Sequence, residues 1–456
     1  MLSSRSNSIW AVLIAALFSL NGQTVRGQQA TIILGESQLS RDRASTTVAN
    51  INPVTSDPRF VIRSQSPNLN GATGSIPVNQ VRVTPIQDNT ERGSVTLGQN
   101  EQNVRLLSPN PNKSADDPLF VRFDIENLSR YAWKAGRYQT ELVAGITSGK
   151  GQQHRSLATG LQVEVAPVLS VQHTPSLIRL HINDAQQYLT GYVSPSLEEL
   201  GIIHTLPLNI SAGTDAPYFS FIGTGEATNI KASVGAVKYQ LSGNGGVPPI
   251  ALNTTSQPAY TNNVIPVGNH TDLGQRFTIS AEDLKRYFNN PGIYRTTLNL
   301  QIADDPASPT VVKQTAVQLE VVVDEVMAFA ATDKHVDITF GTIEDYQNGV
   351  ISDQRGHLLW IGNYRMNLSV RSLDATFNSA SSSFPIGNLY VGGISGTSIR
   401  TVQMTTTNQI LVQGYNPNGQ TTVNIRYQIP ASKSKDLVGK PKEIYSATIL
   451  YSISTY

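Results

Sequence analysis

YQTELVAGI at positions 138–146, YRTTLNLQI at 294–302 and YSATILYSI at 445–453 are one short stretch written three times, and its period sets the fold class. Every second residue is apolar or small. The sets are Tyr138, Thr140, Leu142, Ala144 and Ile146; Tyr294, Thr296, Leu298, Leu300 and Ile302; and Tyr445, Ala447, Ile449, Tyr451 and Ile453. The positions between them are mostly polar. A strand sends successive side chains to opposite faces, so a period of two predicts strands with one face on a core and the other in water. The tyrosines stand 156 and 151 residues apart (138 to 294, then 294 to 445). A repeat that long is a whole domain, since a solenoid unit is about 20–50 residues. The expectation is an all-β chain of three tandem antiparallel β-sandwiches.

Other landmarks recur at the same period. Ile76-Pro77-Val78 matches Phe384-Pro385-Ile386, and Ile230 with Val234 and Val237 takes that place between them. Short apolar strands are expected next at 104–107, 264–267 and 410–412, the outer two leading into Asn110-Pro111-Asn112 and Asn416-Pro417-Asn418. Proline fixes φ and asparagine tolerates the left-handed region, so both triplets predict turns. Further strands are expected at 121–125, 277–279 and 423–429. The first two units then carry a return strand (161–165, 317–323), another apolar piece (168–171, 326–329) and the next unit's opening strand (177–182, 336–340). A shared Tyr-x-x-Gly stands after it at 188–191 and 346–349. Domain boundaries are expected near 166 and 325, giving domains 28–166, 167–325 and 326–456.

Composition narrows the class. The 456 residues carry a formal net charge of +1 and only 15% charged residues, which leaves no electrostatic footprint for nucleic acid or an anionic membrane. With 35 glycines and 24 prolines the chain suits many short strands joined by turns. Cysteine is absent, which excludes disulfides, thiolate metal sites and a lipoprotein anchor. Residues 1–27 read as a signal peptide: Arg5, a twelve-residue run IWAVLIAALFSL at 9–20, then a polar stretch with Val25 and Gly27 before Gln28. Twelve residues are too few to span a bilayer, and no later segment is apolar enough, so the expected localisation is secreted, extracellular or at the cell surface.

The segment before each tyrosine strand reads as a short helix, ENLSRY at 126–131 and SAEDLKRY at 280–287, where Ser280 with Asp283 forms a helix-start signal. One helical turn before a Gly-x-Tyr strand is the arrangement of the E–F corner of immunoglobulin-like sandwiches, where the tyrosine bonds back to the chain upstream. Tyr138, Tyr294 and Tyr445 are expected to take that structural role. The third unit reaches Tyr456 directly after its tyrosine strand, with no return strand beyond it. Either that strand is dispensable or replaced within the domain, or another molecule supplies it by β-augmentation along Tyr445, Ala447, Ile449, Tyr451 and Ile453.

Gly-x-Tyr-x-Thr-x-Leu in the first two units resembles the Gly-x-Tyr strand of bacterial immunoglobulin-like domains and the closing strand of spore-coat-U-type and related fimbrial subunits. The third unit departs from it at Glu443 and Ala447. That unit is similar to secreted modules of Bacteroidetes-type bacteria through Ile338-Thr339-Phe340, the turn at 345–349 and the Tyr445 strand. The resemblance implies a surface or extracellular structural role.

No catalytic signature is present: there is no Gly-x-Ser-x-Gly elbow, no His-Glu-x-x-His and no phosphate-binding loop. The seven histidines (154, 173, 181, 204, 270, 335, 357) never stand at i, i+4 ligand spacing. Acidic pairs at Asp116-Asp117, Asp304-Asp305 and Asp324-Glu325 lack the spacing of a calcium loop. Trp133 and Trp360 read as packing residues. The expectation is a non-enzymatic protein with no catalytic, cofactor-binding or metal residues, no cofactor and no nucleic-acid partner. Its partners would be protein or glycan at the cell surface, with strand donation to the third domain. A carbohydrate-binding accessory module and a hydrolase with a dispersed site are the alternative readings.

Overall fold

In each sheet of this protein, alternation of β-branched and aromatic residues with polar ones decides which side packs. In the strand Leu119–Glu126, Leu119, Val121, Phe123 and Ile125 are buried while Arg122 and Asp124 face outward. The computed structural model describes residues 29–50, 57–107, 119–148, 153–156, 160–195, 198–223, 230–243, 245–394 and 397–456. Residues 1–27, read above as a signal peptide, the turn expected at Asn110-Pro111-Asn112 and the Asp116-Asp117 pair lie outside them. No helix among the described residues is long and apolar enough to cross a membrane. The chain folds as two compact units, and the fold is all-β, built of paired sheets.

The first unit comprises residues up to 34, 41–127 and 136–165. Gln29–Leu34, Gly160–Val165, Gly136–Thr147, Arg59–Ser64 and Gln102–Arg105 line up in that order in one sheet. Arg43–Asn50, Leu119–Glu126, Val81–Gln87 and Thr90–Glu91 form the other. Gly136–Thr147 is central and antiparallel to the return strand Gly160–Val165, whose far edge takes Gln29–Leu34 in parallel.

The second unit comprises residues 35–40, 128–135 and 166–456 and holds two pairs of sheets, each around its own core. In one sheet of the first pair the order is Leu177–Ile182, Val312–Val323, Gly292–Ala303, Leu208–Thr214, Gln257–Asn262. The opposing sheet runs Leu169–His173, Glu198–His204, His270–Ile279, Val237–Leu241, Ile250–Ala251. In the second pair, Met327–Ala331, Gly349–Gly362, Gly419–Pro430, Tyr390–Gly393 and Val402–Gln403 face a sheet of Gln409–Tyr415, Met366–Ser372 and Ile449–Thr455. Buried Asn363 joins the two pairs. Its Oδ1 accepts from Val326 N–H at 3.0 Å, and its Nδ2 donates to Asp324 O at 2.7 Å and Tyr188 Oη at 3.2 Å.

The repeated landmarks have mechanical roles. The three landmarks, entered through Pro77, Ser233 and Pro385, lead into single 3₁₀ turns, Val78–Gln80, Val234–Ala236 and Ile386–Asn388. Both Tyr-x-x-Gly motifs end short helices, with Gly191 at φ 86° and Gly349 at φ 78°. A Cβ on Gly349 would stand 2.4 Å from Ile429 O, so only glycine fits that turn. Ser280 caps Ala281–Tyr287 by accepting from Asp283 N–H.

Three sequence expectations need correction. Residues 264–267 are a loop rather than a strand, with Val264 and Val267 exposed; the edge strand there is Gln257–Asn262. Residues 336–340 form no hydrogen-bonded strand, because the return strand that pairs the corresponding segments, Gln29–Leu34 and Leu177–Ile182, has no counterpart beside them among the described residues. The third tyrosine strand does not begin at Tyr445 but at Ile449. The chain before it is held elsewhere: Ser446 and Asn378 exchange both backbone hydrogen bonds, and Glu443 accepts from Ser381 Oγ and N–H.

Candidate functional site

The same alternating pattern meets different neighbours in the two sandwiches of the second unit. Gly292–Ala303 is paired along both edges, with Leu208–Thr214 on one side and Val312–Val323 on the other, in unbroken register from Gly292↔Val323 to Ala303↔Val312. Tyr294, Leu298, Leu300 and Ile302 are consequently at most 1% exposed. Ile449–Thr455 pairs along one edge only, with Met366–Ser372, from Met366↔Thr455 to Ser372↔Ile449. Among the described residues nothing pairs its other edge.

The apolar side chains of this strand are incompletely covered. Ala447, Ile449, Tyr451 and Ile453 pack on the core built by Leu358, Trp360, Leu368 and Val370, yet each stays half-buried. Val336, Ile338 and Phe340 lie on the same core and alternate, half-buried, with exposed Asp337 and Thr339. The alternation at 336–340 reads in sequence as an ordinary strand, and it turns its apolar side to that core without pairing to any described strand. A row of free backbone N–H and C=O groups beside half-covered apolar side chains is a template for another strand.

The floor of this site is polar at one point. Tyr451 Oη lies 2.7 Å from Tyr427 Oη, which lies 2.9 Å from His357 Nε2. Burial, with the neighbouring Tyr427 hydroxyl, pushes the Tyr451 phenol well above its ordinary value. Burial pushes Tyr427 up to about 12 and holds His357 below the usual imidazole range, the latter against the pull of Asp333. The chain of hydroxyls therefore stays neutral near pH 7 and pins Tyr451 across the two sheets.

The three repeat tyrosines sit in different surroundings. Tyr138 is buried with its hydroxyl 3.1 Å from Thr73 Oγ1. Tyr294 is buried and donates to Asn290 O at 2.9 Å. Tyr445 is half-buried, precedes its strand, packs on the Phe384 ring at 5.2 Å and donates to Pro441 O at 3.0 Å. Trp133 and Trp360 are fully buried and so present no face to a sugar. Asp304 and Asp305 accept from backbone N–H groups of their own loop, a turn-forming role. An open cleft of about 320 Å³ beside Asp215, Tyr218 and Arg295 holds a single carboxylate, already engaged by Thr296 and Thr297. Among the described residues, donor atoms of His173, Glu199 and Asp272 converge as metal ligands would, a grouping that sequence spacing did not connect.

No protein-family model matches the chain, and no curated protein matches it. Among solved structures it is similar to CfaE, the adhesive subunit of CFA/I fimbria of enterotoxigenic Escherichia coli, at 11% identity over 66% of this chain and 99% of that one, TM-score 0.29. It is also similar to a chain of the CsuC–CsuE chaperone–tip adhesion subunit pre-assembly complex of Acinetobacter baumannii Csu pili (12% identity, 63% and 99%, TM-score 0.31). A third neighbour is the CupB6 tip adhesin of Pseudomonas aeruginosa (10%, 61% and 91%, TM-score 0.25). At these identities and TM-scores the likeness assigns no partner to this chain.

Proposed function

We propose that the protein is a secreted or cell-surface structural and adhesive component, non-catalytic, whose last sandwich takes a β-strand from another protein molecule along Ile449–Thr455. In this reading residues 1–27 are removed on export, and 28–166, 167–325 and 326–456 are three sandwiches in series. The observation that carries it is the edge of Ile449–Thr455 that no described strand pairs, together with the half-buried apolar side chains of Ile449, Tyr451, Ile453, Val336, Ile338 and Phe340 on the same core. The incoming strand would run antiparallel to Ile449–Thr455, as Val312–Val323 runs against Gly292–Ala303. Completing the burial of six half-covered side chains contributes roughly 1 kcal/mol each, offset by the cost of ordering the donor.

The chain itself supplies a probe. A peptide carrying residues 316–323, AVQLEVVV, is the return strand of the middle sandwich. Added to the mature protein, it is expected to protect the amides of Ile449–Thr455 from hydrogen exchange. It should also raise the melting transition reported by Trp360 by at least about 5 °C, the effect of ~1–2 kcal/mol in a domain of this size. A peptide with proline in place of Leu319 should do neither. If 449–455 exchanges at the same rate with and without the peptide, the strand-accepting reading fails.

A further inference from the structure

The sheet of Leu169–His173, Glu198–His204 and His270–Ile279 turns one side to the core and the other to solvent. On the outer side three strands bring ligating groups together. Gly201 stands opposite His173 on one neighbour and Asp272 on the other. Glu199 lies two residues before Gly201 and His270 two before Asp272, so the period of two puts all of them on one face. One donor atom each from His173, Glu199 and Asp272 lies within 4.8 Å of the others. His173 Nε2 is 3.9 Å from Asp272 Oδ1, and His270 Nδ1 is 3.2 Å from Asp272 Oδ2.

Two independent local features aim His173 into this cluster. The ladder slips between Val171 and His173, so Gln172 is an extra residue that re-aims the histidine after it. Position 201 has no side chain where one would collide: a Cβ there would stand 2.1 Å from His173 Cε1, and the imidazole occupies that space. The ring is thereby laid across the central strand toward Asp272.

We propose that His173, His270, Asp272 and Glu199 bind one first-row divalent transition-metal ion of the zinc class on this sheet face. Two imidazoles select such ions over calcium and magnesium, which take oxygen ligands. With neutral imidazoles the two carboxylates leave two negative charges that the cation neutralises. The donor atoms of His173, Glu199 and Asp272 already lie within 4.8 Å of one another, and His270, in contact with Asp272 at 3.2 Å and with its ring 6.5 Å from that of His173, joins them by side-chain rotation to reach bonds of about 2.0–2.2 Å; all four side chains are solvent-exposed. The backbone scaffold is rigid, being three adjacent strands of one ladder. The ion would tie those strands together and is unrelated to the strand-accepting edge.

Calorimetry on the mature, untagged protein with ZnCl₂, CaCl₂ and MgCl₂ tests this. One saturable zinc site is expected, with no calcium or magnesium binding at the same concentrations, and a melting temperature that rises with zinc. His173→Ala and His270→Ala should each weaken binding by more than about 100-fold, above the 10–100-fold cost of losing a mere supporting group. Gly201→Val keeps every ligand but evicts the His173 ring, and should weaken binding too. Co²⁺ supplies a readout that needs no variant: visible absorption of tetrahedral intensity supports the site. Absence of a saturable zinc site, binding unchanged within about threefold in both histidine variants, or only the weak spectrum of octahedral cobalt overturns it.

Discussion

Asn269 is the residue whose loss should be felt most sharply for its size. It is fully buried at φ 57° in the loop before His270–Ile279. Its Oδ1 accepts from Trp133 N–H at 3.0 Å, and its Nδ2 donates to Trp133 O at 2.7 Å and His204 O at 2.8 Å. One side chain thus satisfies three buried backbone groups and fixes Trp133. Asn269→Ala deletes three hydrogen bonds worth about 1 kcal/mol each and leaves their partners desolvated, for a total of about 3–5 kcal/mol. Alanine also bears about 1 kcal/mol or more for the left-handed backbone, which Asn269→Gly does not. Against a stability of about 5–15 kcal/mol this is a large fraction. Urea unfolding followed by tryptophan emission measures it, and native emission should shift to the red as Trp133 meets water. The glycine variant should be less damaging than alanine by about 1 kcal/mol. If both variants unfold within about 1 kcal/mol of the parent, the network does not hold the segment 128–135 in place, and the hydrogen-bond reasoning is wrong.

The last sandwich yields two more expected outcomes. Gly349→Ala forces a Cβ to within 2.4 Å of Ile429 O at φ 78° and should cost more than about 2 kcal/mol, whereas Gly341→Ala, whose nearest neighbour would be 3.8 Å away, should cost less than about 0.5 kcal/mol; chemical denaturation compares them. His357 is buried with Nε2 on the Tyr427 hydroxyl and no partner for Nδ1 among the described residues, and burial holds it below its unfolded value. The unfolded chain then binds the extra proton in acid. Its contribution to stability is full above about pH 6.5 and is lost as pH falls from there through the folded value. Melts reported by Trp360 should show that decline, and His357→Gln should flatten it; an unchanged acid-side slope would show that His357 is not the titrating group.

Much of the fold was legible because alternation is a local property of a strand. The sequences at 138–146 and 294–302 specify a strand whatever lies beside them, and both became central strands, Gly136–Thr147 and Gly292–Ala303. Burial is not local in that sense. The third copy keeps the pattern, but Tyr451 and Ile453 remain half-covered where no strand among the described residues pairs the second edge, and 336–340 keeps its alternation without a ladder there. A period of two therefore states which side of a strand wants a core, and the register of the sheet states whether it has one.

The proposed metal-ligand constellation escaped for a related cause. Ligand spacing of i, i+4 belongs to helices; on a strand the corresponding neighbours are i, i+2, and across a sheet they are register partners with no fixed separation in sequence. His270-x-Asp272 was the visible half of the cluster, at strand spacing. Its other half, His173 and Glu199, lies 97 and 71 residues before His270 and joins it only through the pairings His173↔Gly201↔Asp272 and Ile203↔His270. A glycine in the middle of a strand otherwise buried along Leu200, Ile202 and Ile203 was the remaining clue. Such a glycine weakens the strand by itself, so its presence points to something laid across it, and here that is an imidazole.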